Sequence, residues 1–171
     1  MASTNAAKPR RAKISKTKVV SAKNEDKIKL SNWNYDGSST GQAETSKSEM
    51  ILVPVNKYVD PFRQNGFLVM CEVYNTDMTP HSTNKRSNLK DLIETNRIKN
   101  DCMFGFEQEY IIYDRETGRP LGWPKDAFFP RPQGDYYCGV GGSNVAGRDF
   151  AEEHARLCLQ AGLQYSGTNA E

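Results

Sequence analysis

Apolar positions along this chain gather in short runs of strand-like character: a first around Ile28 to Tyr35, a second from Met50 to Val55 and a third from Phe67 to Tyr74. Between them lie Asp36-Gly-Ser-Ser-Thr-Gly41 and Asp60-Pro-Phe-Arg-Gln-Asn-Gly66, where Gly, Asp and Asn accept tight backbone angles. A small, mostly antiparallel sheet is predicted. Over Ser87 to Arg97 the period changes, and Leu89, Leu92 and Ile93 at i, i+3, i+4 predict a short amphipathic helix closing this first unit. Asn100-Asp101 marks a boundary.

The second unit opens with Phe104-Gly-Phe-Glu-Gln-Glu-Tyr-Ile-Ile-Tyr113. Read as a strand, it carries aromatic and aliphatic residues mostly on one face and Glu107 and Glu109 on the other. A turn around Glu116-Thr-Gly118 and an aromatic loop over 121–129 lead to the glycine-rich block Pro132 to Gly142. Residues 147 to 161 predict a helix with Phe150, His154, Leu157, Cys158 and Ala161 along one stripe, stopped by Gly162. The last segment, Leu163 to Glu171, is strand-like, and the sequence stops within it with nothing following to close a fold. The chain therefore reads as the N-terminal portion of a longer protein, either an incomplete sequence or a shortened form.

Composition adds little to this α+β picture but removes several function classes. The net charge of +2 is too small for a whole-chain nucleic-acid binder, and the surplus sits in a tail where Lys8, Arg10, Arg11, Lys13, Lys16 and Lys18 all precede Glu25. Such a tail suits a solvated segment, with an organellar transit peptide as the alternative. It has no interleaved aromatics for base stacking. Cys71, Cys102, Cys138 and Cys158 form no C-x-x-C pair and read as reduced thiols rather than a zinc module. No apolar run approaches the ~20 residues of a membrane span.

Glu107 and Glu109 are the strongest candidates for chemistry. On a strand, acids at i, i+2 point to one side about 6.5 to 7 Å apart, and hard divalent cations require clustered carboxylate oxygens. A bare E-x-E equally suits a solvated face. Glu171 would add a third carboxylate. Asp36 lies in a Gly- and Ser-rich loop where an Asp often only bonds to its own turn. His154 reads as a hydrogen-bonded core histidine and His81 as a solvated loop residue. The glycines of 139–142 do not fit G-x-G-x-x-G, so no dinucleotide fold is indicated.

The run Trp33-Asn-Tyr-Asp-Gly-Ser-Ser-Thr-Gly-Gln-Ala43 resembles the signature of glutamine synthetases, in particular the eukaryotic-type (type II) branch. Asp60-Pro-Phe-Arg63, Thr83-Asn-Lys-Arg86, Phe104 to Tyr110, Pro120-Leu-Gly-Trp-Pro124, Pro132 to Gly141, Gly147-Arg-Asp149 and Ser166-Gly-Thr-Asn-Ala-Glu171 resemble further family blocks in the same order.

The resemblance implies a basic flexible tail over 1–27, a β-grasp-like N-terminal domain over 28–99, and over 100–171 the first part of a catalytic domain with a curved antiparallel sheet. It implies ATP-dependent ligation of ammonia to L-glutamate through γ-glutamyl phosphate, with ATP and two or more Mg²⁺ or Mn²⁺ ions per complete site. The active site would lie between subunits of a homo-oligomeric ring, a decamer in the family, in the cytoplasm, with no membrane and no specific nucleic-acid partner.

Residue by residue, the resemblance implies that Glu107 ligates the metal nearer the nucleotide, and that Glu109 and Glu171 hold the metal nearer glutamate. The loop with Asp36 and Ser39 would bind ammonium in a neighbour's site, with Asp36 assisting its deprotonation. The family's later metal ligands and its substrate-binding arginines have no counterpart before Glu171, so the chain alone is expected to be inactive. The alternative is a non-catalytic paralogue serving as an interaction subunit of full-length rings.

Overall fold

The computed structural model describes residues 14–21, 28–95, 103–142 and 144–171. They fall into two compact units, one drawn from Met1–Lys57 and Val69–Ile98 and the other from Tyr58–Leu68 and Lys99–Glu171. The architecture is α+β.

A three-stranded sheet contains β1 (Trp33–Asp36), β2 (Glu49–Val59) and β3 (Phe67–Tyr74), in that spatial order. β1 and β2 are antiparallel, with Trp33 opposite Leu52 and Asp36 opposite Glu49. β1 is therefore shorter than the run predicted from Ile28, and β2 longer than the run from Met50 to Val55. Pro54 is unusual in a central strand because it cannot donate to the ladder. It falls two residues past Leu52, the last partner of β1, where one edge of β2 is open. Met50 is the buried apolar side chain among the described residues, at 3% exposure.

Helix α1 (Lys85–Thr95) is started by an Asn84 cap, whose side-chain oxygen accepts the Ser87 N–H at 3.1 Å while its Nδ2 donates to the Val73 carbonyl at 3.2 Å. Beside it, the buried Glu72 carboxylate accepts hydrogen bonds from Arg86 and from the Tyr74 hydroxyl. These polar contacts seat α1 on β3. The apolar residues predicted to do so, Leu89, Leu92 and Ile93, are exposed. Arg97, within the predicted helix, lies outside the described residues.

Within the segment 1–27 expected to be a basic tail, Lys16 and Lys18 are exposed yet reach β1 and the residues just before it. The Lys16 ammonium sits 3.8 Å from the Trp33 ring centroid and donates to the Asn34 carbonyl, and Lys18 donates to Ser31. Cation–π attraction engages this part of the segment with β1. Residues 1–13 and 22–27 of the tail lie outside the described residues.

In the second unit, α2 (Arg148–Gln160) closes with a Schellman turn, Leu163 N–H to the Cys158 carbonyl and Gly162 N–H to the Leu159 carbonyl. Its packed side carries Ala151, Ala155, Leu157, Cys158 and Ala161, whereas Phe150 and His154 of the predicted stripe are exposed. His154 is thus no core residue; it meets Tyr110 edge to face at 5.4 Å between ring centroids. Small alanines permit close approach, so the inward face is rotated away from the one the largest side chains suggest.

Two predicted strands do not form. Residues 104–112 and 163–171 are irregular, because a strand exists only through hydrogen-bonded neighbours and among the described residues neither segment has a ladder partner. Contacts of the first gather toward its C-terminal end: Tyr110 with His154, Leu121 N–H to the Ile112 carbonyl at 2.7 Å, and a bridge between Tyr113 and Pro120.

Candidate functional site

Asp36 ends β1, and the chain then folds tightly around the Gly37 carbonyl, which accepts the N–H groups of Thr40, Gln42 and Ala43 at 3.2, 2.8 and 3.2 Å. The Gly37 N–H donates to Ser48 at 2.6 Å. Gly37 is required by space, since a Cβ there would lie 2.4 Å from Met50 Cγ. The resulting short 3₁₀ turn, Ser38–Thr40, places two hydroxyls, those of Ser38 and Ser39, beside the carboxylate. Oδ1 of Asp36 accepts the Ser38 N–H at 2.9 Å and the Ser38 hydroxyl at 2.6 Å, and Oδ2 accepts the Ser39 hydroxyl at 3.2 Å.

The Ser38 hydroxyl, then the Ser38 N–H, with smaller help from Ser39 and Ser48, holds the Asp36 carboxyl below the usual carboxylate range. Its cross-strand partner Glu49 accepts the Asn34 side-chain amide at 2.6 Å. The result is an exposed carboxylate whose ionised form is favoured by the hydrogen bonds of its own turn. Asp36 does bond to its own turn, and that bonding is what fixes it.

Glu107, Glu109 and Glu171 are all exposed, Glu107 and Glu109 on the irregular segment described above. Their oxygens suit a hard cation. Yet no group of three or more His, Cys, Asp or Glu side chains that could hold a metal ion occurs among the described residues. The predicted convergence of these three acids is therefore not formed here, and the residues present do not by themselves fit a metal. Ala170, next to Glu171, accepts the Cys138 N–H at 2.8 Å, which ties the Pro132 to Gly141 block to the last segment. Arg131, just before this block, donates to the Tyr136 hydroxyl within it, and that bond lowers the Tyr136 pKa.

Sequence reasoning missed His81. Both ring nitrogens are engaged, Nδ1 with Thr83 and Nε2 with the Gln42 carbonyl, which anchors the Asp36 loop. No short-range pattern could reveal a contact between residues so far apart in sequence.

Residues 8–76 match the family described as "Glutamine synthetase, beta-Grasp domain". Across most of the chain the similarity continues. It is 53% identical over 145 residues to "Glutamine synthetase 2 cytoplasmic" of Drosophila melanogaster, covering 81% of this chain and 37% of that protein. The chain belongs to the glutamine synthetase family. Two further relatives are chloroplast forms by name: "Glutamine synthetase, chloroplastic" of Chlamydomonas reinhardtii is 48% identical, with 85% of this chain and 38% of the relative covered. "Glutamine synthetase, chloroplastic/mitochondrial" of Arabidopsis thaliana is 44% identical, with 92% and 37% covered. The chain thus spans about two fifths of the length of the glutamine synthetases it matches. Among the described residues no helix is long and apolar enough to cross a membrane.

Proposed function

We propose that this chain supplies the ammonium-binding loop and the first metal-ligating acids of a glutamine synthetase, which transfers the terminal phosphoryl group of ATP to the side-chain carboxylate of L-glutamate and then lets ammonia displace phosphate. The observation that carries this reading is the Asp36 turn: an ionised, exposed carboxylate, fixed by Ser38 and Ser39, within the region that matches the family's β-grasp domain.

A carboxylate kept anionic by its own turn attracts a small cation such as ammonium without reorganising. The same hydrogen bonds weaken it as a base. Asp36 therefore serves chiefly to capture and orient ammonium and assists its deprotonation, taking one N–H proton and releasing it to water, so that the freed nitrogen lone pair can attack and displace phosphate; Ser39 holds the carboxylate in that orientation. Glu107, Glu109 and Glu171 have ligand chemistry for Mg²⁺ or Mn²⁺, with Glu107 on the nucleotide side. Because they do not converge in this structure, the metal site requires donors beyond those described, and no metal-dependent step is assigned to these residues alone. We further propose a ring in which one subunit's Asp36 loop serves its neighbour, and domains spanning 28–99 and 100–171.

In a form extended to completeness, Asp36→Ala should raise the ammonium requirement far more than that for ATP, whereas Glu107→Ala should weaken metal and nucleotide binding directly. Mixing the two variants should restore part of the activity, since a mixed ring contains interfaces with both an intact loop and an intact acid. No recovery despite verified co-assembly would place both residues in the service of one subunit and defeat the shared-site reading.

A further inference from the structure

The Asp36 loop is held from the outside by a closed circuit of hydrogen bonds. The Tyr35 hydroxyl lies 2.6 Å from Gln42 Oε1, Gln42 Nε2 donates to Thr83 Oγ1 at 2.9 Å, Thr83 Oγ1 lies 2.8 Å from His81 Nδ1, and His81 Nε2 lies 2.9 Å from the Gln42 carbonyl. One assignment of protons accounts for these contacts, with the single Nδ1 lone pair shared between two Thr83 donors. The Gln42 carbonyl can only accept, so His81 Nε2 carries the hydrogen. The Thr83 N–H points at His81 Nδ1 at 3.2 Å, so Nδ1 accepts, and the Thr83 hydroxyl donates to it as well. That leaves Thr83 Oγ1 free to accept from Gln42 Nε2, which fixes the amide orientation and turns Gln42 Oε1 toward Tyr35 and the Thr40 hydroxyl, the latter at 2.6 Å.

The circuit starts and returns at Gln42, whose own N–H is one of the bonds that fold the loop around the Gly37 carbonyl. A displacement of the connection between β3 and α1, where His81 and Thr83 reside, is therefore transmitted to the turn that carries Asp36. We propose that Gln42, Thr83 and His81 are positioning residues that lock the Asp36 loop in its ammonium-binding shape. The link to ammonium rests on the functional reading above; the lock itself rests on the geometry alone.

Hydrogen–deuterium exchange on the 171-residue chain reads the lock directly. His81→Ala and Thr83→Ala should each speed exchange at the amides of Thr40, Gln42 and Ala43 by about fivefold, the factor given by losing one ordinary net hydrogen bond. The amides of β3 and α1 should keep their protection. His81→Gln, whose amide can still donate to the Gln42 carbonyl, should return loop exchange to near that of the parent, whereas His81→Asn is too short to do so. Unchanged loop exchange in His81→Ala, or equal effects of His81→Gln and His81→Ala, would overturn the lock. In a form that turns over, His81→Ala should raise KM for ammonium several-fold with kcat and the KM for ATP nearly unchanged, and His81→Gln should rescue it. Faster loop exchange without a change in ammonium KM would leave the lock standing and overturn the assignment of ammonium to Asp36.

Discussion

Replacing Gly37 with Ala tests how tightly the loop is packed on the one buried apolar side chain among the described residues. The backbone at Gly37, φ −70° and ψ −18°, is open to alanine, so the outcome depends on space. The new methyl would lie 2.4 Å from Met50 Cγ, 3.1 Å from Ala43 Cβ and 3.1 Å from the Ser48 carbonyl. Carbon atoms pack comfortably at ~3.5 to 4.0 Å, so Met50 must retreat by about 1 to 1.5 Å. Gly37 cannot yield instead, because its N–H and carbonyl are both committed. Overpacking of this kind costs about 1–3 kcal/mol, and the stiffer unfolded chain returns about 0.4–1 kcal/mol. The expected net loss is about 0.5–2 kcal/mol. Urea unfolding followed by Trp33 fluorescence in a Trp123→Phe background measures it, and in a Met50→Ala background the loss should shrink by at least ~0.5 kcal/mol. A Gly37→Ala chain as stable as its parent, or more stable, would refute the close contact.

Gly147→Ala should destabilise the second unit by about 1–3 kcal/mol, since Gly147 has φ +74° and a Cβ would lie 2.8 Å from Ile112 Cδ1; an unchanged thermal midpoint by circular dichroism would contradict that packing. Asp36 should titrate by NMR below the ~3.9 of an unperturbed aspartate, and Ser38→Ala should raise its midpoint. Because this pKa is depressed in the folded loop, the associated stabilisation is present above the unfolded value and is lost as pH falls through the folded one. Loop order should therefore decline only at acid pH, and a midpoint unmoved by Ser38→Ala would remove the serine as its cause.

What could be read from the sequence was local. β3 and the boundaries of α2 follow from apolar runs and from Gly162, whereas α1 starts at Lys85, two residues before the predicted Ser87, behind an Asn84 cap that the apolar spacing does not mark. The run at 104–112 has strand composition, yet strand formation depends on a neighbour that composition does not supply. The inward face of α2 turned on alanines, which carry little hydrophobic weight in a pattern but permit close packing. The family blocks singled out Asp36, Glu107, Glu109 and Glu171, but only Asp36 has a built environment here, because its partners Ser38 and Ser39 are two and three residues away. The circuit through His81 joins residues about forty positions apart and left no local trace.

The central claim is that this chain holds part of a glutamine synthetase site that further residues must complete. The most direct test joins it to the portion of the Drosophila melanogaster relative that lies beyond the match and assays glutamine formation from glutamate, ammonium and ATP with Mg²⁺. The account predicts no turnover by the 171-residue chain and metal-dependent turnover by the fusion, abolished by Glu107→Ala. Turnover by the chain alone, or a fusion whose activity is indifferent to Glu107→Ala, would contradict it.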